Sequence, residues 1–415
     1  MTLAATATTL DADAIGRISD HLDEPGWLRD LRSAWWERAS ATPPPTGQEE
    51  EWRRTDLAPL PRDGELLLDP PPIEVSLPHG AAEAGVVVTD LRTAVRDHGE
   101  LVRRHLGQAD GLASHAHFWA LAQSAWTGGV FCHVPSGAAV DGTIVVRTAL
   151  ARADVTYLPV TLVVAEEGAD VTLLEEIVSP DGAAGWYGGI VEVVTEQSAQ
   201  VRYAKLQQLG DGAWNIGSQR VVVGQDANVT TLNAEVGSRV TKVGLDVQMT
   251  GTGGTSRLLG LLAAGDQQHI DINSEQDLHA SYTTSDLLYL SALYDDARAA
   301  FYGVTKVRAG SRQTSSYQEC RNLLLSPTAG AEPIPVLEIE TNDILRCGHG
   351  ATAGAIDPIQ LFYAQTRGLD ADSAERMIVR GFFEQVVGQI HDETIRERVL
   401  AALARRIGFS EEEAA

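Results

Sequence analysis

A short phrase recurs along the middle of this chain. Gly137-Ala138-Ala139-Val140 is echoed by Gly168-Ala169-Asp170-Val171, by Ser198-Ala199-Gln200-Val201 and by Asp226-Ala227-Asn228-Val229. The alanines stand 31, 30 and 28 residues apart. Each copy is a small-residue turn feeding a run rich in Val, Thr and Ile, such as Thr143-Ile144-Val145-Val146 or Val160-Thr161-Leu162-Val163-Val164. A near-constant interval built from short strands and turns points to stacked coils. No helical period intervenes, which selects a β-solenoid over helical repeats. One coil cannot bury its inward face alone, but stacked coils share an apolar column and pair each other's edges. A β-sandwich also yields many short strands, but it does not predict the recurring phrase.

The flanks read differently. Trp27–Ala39 places Leu28, Leu31 and Trp35 at helical intervals, and Pro43-Pro44-Pro45 stops that helix. Leu101–Leu106 and Phe118–Trp126 are amphipathic. Asp69-Pro70-Pro71-Pro72 reads as a linker. After the solenoid, Asp357 caps a helix with Pro358 at its first turn, Gly368 ends it, and Asp370 and Asp392 begin two more. The expected fold is therefore mainly β. A right-handed parallel β-helix core over 129–355 lies between an N-terminal, mostly helical region, 1–128, and a C-terminal helical region, 356–415. The last helices either cap the solenoid's open end or offer an apolar stripe to a partner.

Composition bounds the function. The 44% apolar content supports a large core, and the net charge of −25 disfavours nucleic acid and anionic membranes. Three dispersed cysteines, Cys132, Cys320 and Cys347, are no disulfide framework and fit a reducing cytoplasm. Met1–Asp13 lacks a signal-peptide pattern, and no run of about 18 apolar residues suggests a membrane span.

Several side chains carry candidate chemistry. Cys347 and His349 stand two apart on a β-type segment and so share a face, a plausible half-site for iron or zinc. Leu345 is expected on that face too, which leaves open that Cys347 is simply core. Gly251-Thr252-Gly253-Gly254-Thr255-Ser256 lacks the Gly-Lys-Ser/Thr ending of a phosphate loop and reads as a turn, so no ATP site is expected in this chain. His269, Asp271, Glu275, Asp277 and His279 alternate as a solvated outer strand face does. His115 and His117 lack ligand-spaced partners and read as solvated or capping histidines. Trp52, between Glu51 and Arg53-Arg54, reads as a surface anchor packed on the main body.

These residues resemble the SufB/SufD family of iron–sulfur cluster assembly proteins. Cys347-Gly348-His349-Gly350-Ala351-Thr352-Ala353-Gly354 is similar to the family's Cys-Ser-His-Gly-Ala-Thr-Val-Gly, with Gly348 in place of Ser. Leu361-Phe362-Tyr363 with Arg367-Gly368, Asn322–Ser326, Pro335–Ile339, Thr284-Ser285-Asp286, Asp296-Ala297-Arg298 and Phe301-Tyr302-Gly303 also fit. So does the opening Pro45-Thr46 … Glu51-Trp52-Arg53 … Thr55-Asp56-Leu57. The family's SufB branch carries Cys-Gly-Ala-His-Thr before the final strand. Here that stretch reads Ala329-Gly330-Ala331-Glu332-Pro333, with no thiolate, so the resemblance is to the SufD type.

The resemblance implies a β-helix that pairs with a SufB-like paralogue and C-terminal helices that bind a SufC-like ATPase. A cysteine desulfurase supplies the sulfur indirectly. It implies a transient iron–sulfur cluster or iron shared with the paralogue, with His349 at the interface; Cys347 is its same-face neighbour and the other candidate metal ligand. Leu361, Phe362, Tyr363, Arg367, Met377, Ile378 and Phe382 then belong to the ATPase-facing tail or its packing. Whether the isolated chain forms a homodimer, and whether reduced flavin takes part, stays open. Two other readings compete with this non-catalytic assembly subunit. One is a β-solenoid polysaccharide lyase or hydrolase using Asp271, Glu275 and Asp277, with calcium. The other is an interaction solenoid in which Cys347 and His349 are inert.

Overall fold

The computed structural model describes residues 7–11, 13–62, 64–150, 152–180 and 182–407. The ends of the expected first and last regions, 1–6 and 408–415, lie outside the described residues. Two parallel sheets form the body. Sheet A stacks Gly129–Val134, Val160–Ala165, Ile190–Thr195, Trp214–Val223, Val240–Met249, His269–Leu278, Arg298–Val307 and Gly330–Ile339. Sheet B stacks Ala139–Ala149, Asp170–Val178, Gln200–Gln208, Asn228–Glu235, Thr255–Ala264, Thr284–Leu293, Thr314–Leu324 and Ile344–Ala355. The chain alternates between them, one strand in each per turn, which makes a β-solenoid of eight coils among the described residues. The register along sheet B sets the repeat: partners 171, 201, 229, 256, 285, 316 and 347 are 30, 28, 27, 29, 31 and 31 residues apart.

The recurring phrase has a physical basis. Its first residue takes a left-handed backbone: Gly137, Gly168, Ser198 and Asp226 have φ of 69°, 68°, 60° and 52°. That turn aims an N–H at the next coil, from Gly137 to Glu167 O at 2.8 Å, Gly168 to Gln197 O at 2.9 Å, Ser198 to Gln225 O at 2.8 Å and Asp226 to Thr252 O at 2.9 Å. The alanine that follows is buried at the corner in every copy. The ladder continues through Gly253, Tyr282 and Gln313, which donate to Ser281, Arg312 and Asp343 carbonyls. Gly251–Gly254 is one of these corners, as its sequence suggested.

Three large apolar cores and a smaller fourth, around Tyr157, Tyr187 and Leu209, form among the described residues. The lumen core runs from Val130 and Ile144 to Phe301 and Cys320. The N-terminal helices α1 (Ala14–His21), α2 (Gly26–Ala41), α3 (Leu91–Asp97), α4 (Gly99–His105) and α5 (Ala116–Ala125) pack on the outer face of sheet A, burying Trp35, Trp119, Trp126, Trp186 and Trp214. The C-terminal helices are α6 (Pro358–Thr366), α7 (Ala371–Val387) and α8 (Glu393–Ile407). Asp357, Asp370 and Asp392 accept from Ile359 N, Ser373 N and Ile395 N at 2.9, 2.7 and 2.9 Å, as N-caps do. These helices do not cap the open end. Val379, Phe383, Val386, Ile395, Val399 and Leu403 lie instead along the flank of sheet B, from Val145 to Ala292. The flank wins because outward Leu174, Leu232, Leu259, Leu261 and Leu290 already form an apolar stripe there.

Two other expectations are corrected. Asp271 and Asp277 are buried, not solvated. The segment 49–57 folds over sheet A, and the Thr55 hydroxyl donates to Asp271 at 2.6 Å while Lys242 pairs with it at 2.8 Å. Trp52 is only 1% exposed; its indole N–H donates to Ser114 O at 2.6 Å and the Lys242 ammonium lies 5.0 Å from its ring centre. His115 is fully buried against Gly244, where an added Cβ would come within 2.8 Å of the ring. Burial and the Lys242 charge hold His115 well below the usual histidine range. His117 is partly buried, with Nδ1 2.7 Å from Thr42 O.

Candidate functional site

The C-terminal mouth of the solenoid gathers the candidate site. Inward residues of sheet B form straight rows because the strands are parallel and in register. One row reads Val171, Val201, Val229, Ser256, Ser285, Ser316, Cys347, and the next reads Leu173, Tyr203, Thr231, Leu258, Leu287, Gln318, His349. The first row is polar from Ser256 onward, whereas the second carries Leu258 and Leu287 and turns polar only at Gln318. Across the lumen, Gln276 Nε2 donates to Ser285 Oγ at 2.7 Å, and Gln318 and the Thr305 hydroxyl share a 2.6 Å hydrogen bond. Cys347 and His349 thus close two neighbouring inward rows in the last strand, Cys347 half-buried against the lumen core and His349 exposed.

Leu345 does not share their face. The register with Thr314–Leu324 slips at this point, Ile344 opposing Thr314 and Arg346 opposing Ser315. The extra residue turns outward and is 68% exposed. Arg346 pairs with Asp286 at 2.9 Å and sits 5.1 Å from the Tyr317 ring centre. A Cβ at Gly348 would meet that ring at 3.4 Å, an ordinary contact, so a serine fits there as well as glycine.

The three thiols differ in kind. Burial pushes Cys132 and Cys320 up to about 12, which leaves them inert near neutral pH. Cys347 is raised as well, by partial burial. Among the described residues, no three His, Cys, Asp or Glu side chains gather as a metal site. Cys347 and His349 would offer a soft metal one thiolate and one imidazole.

The profile described as "SUF system FeS cluster assembly, SufBD core domain" matches residues 148–382, more than half of the chain. The chain belongs to the SufBD family. It is 26% identical to the iron-sulfur cluster assembly protein SufD of Bacillus subtilis over 98% of this chain and 100% of that protein. It is 30% identical to an iron-sulfur cluster assembly SufBD family protein of Mycobacterium leprae, over 55% of this chain and 60% of that one. A counterpart in Mycobacterium tuberculosis is 31% identical over 55% and 59%.

In this SufBD chain the tail residues divide into two sets. Leu361, Ile378 and Phe382 are half-buried against the sheet B flank. Phe362, Tyr363 and Met377 are exposed, Phe362 by 67%. Arg367 stacks 5.0 Å from the Tyr363 ring centre and donates to its hydroxyl at 2.8 Å. Ile359, 73% exposed, joins Phe362 and Tyr363 on α6. The sequence reading did not single out Ile359, which follows Pro358 in the first turn of α6. Among the described residues, no helix is long and apolar enough to cross a membrane.

Proposed function

We infer that this protein is a non-catalytic, SufD-like subunit of an iron–sulfur cluster assembly complex. Its solenoid end pairs with a SufB-like paralogue, and its exposed α6 surface and Met377 meet a SufC-like ATPase. A cysteine desulfurase supplies sulfur through the complex. The nascent cluster is cargo at the mouth. His349 contributes an imidazole ligand, Cys347 a thiolate where the cluster lowers its pKa, and the paralogue the rest. ATP hydrolysis belongs to the partner, and its closure pulls on α6. The observation that supports this reading is the termination of two neighbouring inward rows at Cys347 and His349, side by side in the last strand of the solenoid.

A polysaccharide-active reading is weaker. Its candidate carboxylates are each held by a cation: Asp271 by Lys242, Glu275 by Lys306 at 2.8 Å and Asp277 by Arg308 at 2.6 Å. The test is cluster formation by the reconstituted three-protein complex, followed by visible absorbance. His349→Ala is expected to lower the cluster yield at least roughly tenfold while the complex still co-purifies. An unchanged yield removes the ligand role, and failure to co-purify with either partner removes the assembly role.

A further inference from the structure

We propose that a slot beneath the joint between α7 and α8 binds a small carboxylate with a short aliphatic tail. Two outward columns of sheet B set its chemistry. One reads Val145, Leu174, Ala204, Leu232, Leu259, Leu288, one residue per coil. Ala204 stands where both neighbouring coils carry leucine. The apolar stripe under the C-terminal helices therefore lacks one isopropyl end at this coil. The column two residues earlier reads Thr172, Arg202, Thr230, Arg257. Both columns line a slot of about 100 Å³, closed on its other side by Ile390 and His391 of the joint and Ile395 of α8. The missing isopropyl end and the size of the slot set the tail at a few carbons.

The rim of the slot is cationic in a chain whose net charge is −25. Arg202 and Arg257 stand two coils apart, about 10 Å between backbones at the usual strand spacing, with Thr230 between them. Guanidinium groups on long side chains can converge across that distance on one carboxylate. Arg202 shares its charge with Asp170 at 2.7 Å. Arg257 is exposed and makes no ion pair among the described residues. Asp286, opposite Arg257 in the next coil, is held by Arg346 at 2.9 Å. The one carboxylate in the lining, Asp392, is already committed: it accepts from Ile395 N at 2.9 Å and from the Thr143 hydroxyl. The slot thus joins an apolar floor to an unpaired cation at its rim, an arrangement that a short amphiphilic acid matches. A bound acid touches both sheet B and the joint. It therefore fastens α7 and α8 to the flank of the solenoid, and by linkage a docked tail holds the acid more tightly.

The probe is 3-methylbutanoate, which carries the missing isopropyl end on a two-carbon acid. Titrated into the full chain and followed by calorimetry, it is expected to saturate at roughly millimolar concentration or below. Amide exchange over 391–395 should slow as it binds. Two analogues separate head from tail. The neutral 3-methylbutanamide and tail-less inorganic phosphate should each bind at least roughly tenfold more weakly. Ala204→Leu fills the slot from within and is expected to abolish binding, with a thermal midpoint no lower than the parent's. Arg257→Gln should weaken binding at least roughly fivefold and leave the fold unchanged. No saturation by 3-methylbutanoate overturns the site. Phosphate binding as tight as that of the acid leaves only a cationic patch and overturns it too, as does an Ala204→Leu chain that folds and still binds. If Ala204→Leu does not fold, Arg257→Gln and the amide decide, and unchanged affinity in either overturns the proposal.

Discussion

The two ends of the solenoid are built on opposite principles. At the N-terminal end, Val87–Asp90 pairs antiparallel with Gly129–Val134, and Glu74–Ser76 pairs antiparallel with Ala139–Ala149. These strands are four and three residues long, and the chain between them sends Ala81 and Val86 into the lumen core as a plug. At the C-terminal end, strands of 10 and 12 residues each pair on one side alone. Short edges and a plug exclude further strands at the first end, whereas the two last strands have no neighbour on their far side among the described residues.

Experiments that damage each end in turn should separate these roles. The largest effect is expected where the N-terminal lobe grips sheet A. Trp52→Ala removes a fully buried indole and its hydrogen bond, and should cost about 3–5 kcal/mol in denaturant unfolding. A loss under about 1 kcal/mol would mean that the lobe is held elsewhere. Next comes pH. Glu192, buried beside Gln123 and the Gly107 backbone, is pushed up to about 8 by desolvation. A raised carboxyl binds more protons folded than unfolded, so stability falls as pH rises from about 4.5 to 8 and is level above that. Glu192→Gln should flatten this slope and exceed the parent by roughly 4 kcal/mol at pH 8.

Thiol labelling contrasts buried and open regions directly. In the folded chain at pH 8, Cys347 should alkylate at least about a hundredfold faster than Cys132 or Cys320, and assembly with the paralogue should protect it. Equal rates for all three would contradict the burial difference. The smallest effect on folding belongs to the open end. Leu345→Ser should change stability by no more than about 0.5 kcal/mol, yet weaken co-purification with the paralogue. A large folding defect there would make the leucine structural.

What the sequence disclosed, and what it hid, follows from the range of the forces involved. The coil was legible because its corner is local: a left-handed residue, a buried alanine and a β-branched run fit within a few positions. From the fifth coil onward the same corner is made by Gly253-Gly254, Tyr282-Thr283 and Gln313-Thr314, so the phrase dissolves while the geometry persists. Cys347 and His349 were legible as a same-face pair. The slip that expels Leu345 was not, since it is set by pairing with a strand 30 residues earlier. The solvated reading of Asp271 failed for a similar reason: its partner Thr55 lies 216 residues away in sequence, and strand alternation cannot report a cover supplied from such a distance.

The C-terminal helices carry one further consequence. Arg398 holds Glu176 at 2.8 Å, Asp392 bonds Thr143, Arg406 reaches Asp211 at 3.2 Å, and Arg321 grips Gln385 at 2.6 Å. These clasps spread along the barrel's length, while α6 touches chiefly α7. The load on α7 and α8 is therefore spread over many rungs, whereas α6 follows the last strand by only Ile356 and Asp357 and is coupled to it directly. The tail thus braces the solenoid along its flank through its two later helices and meets its last rung through the first.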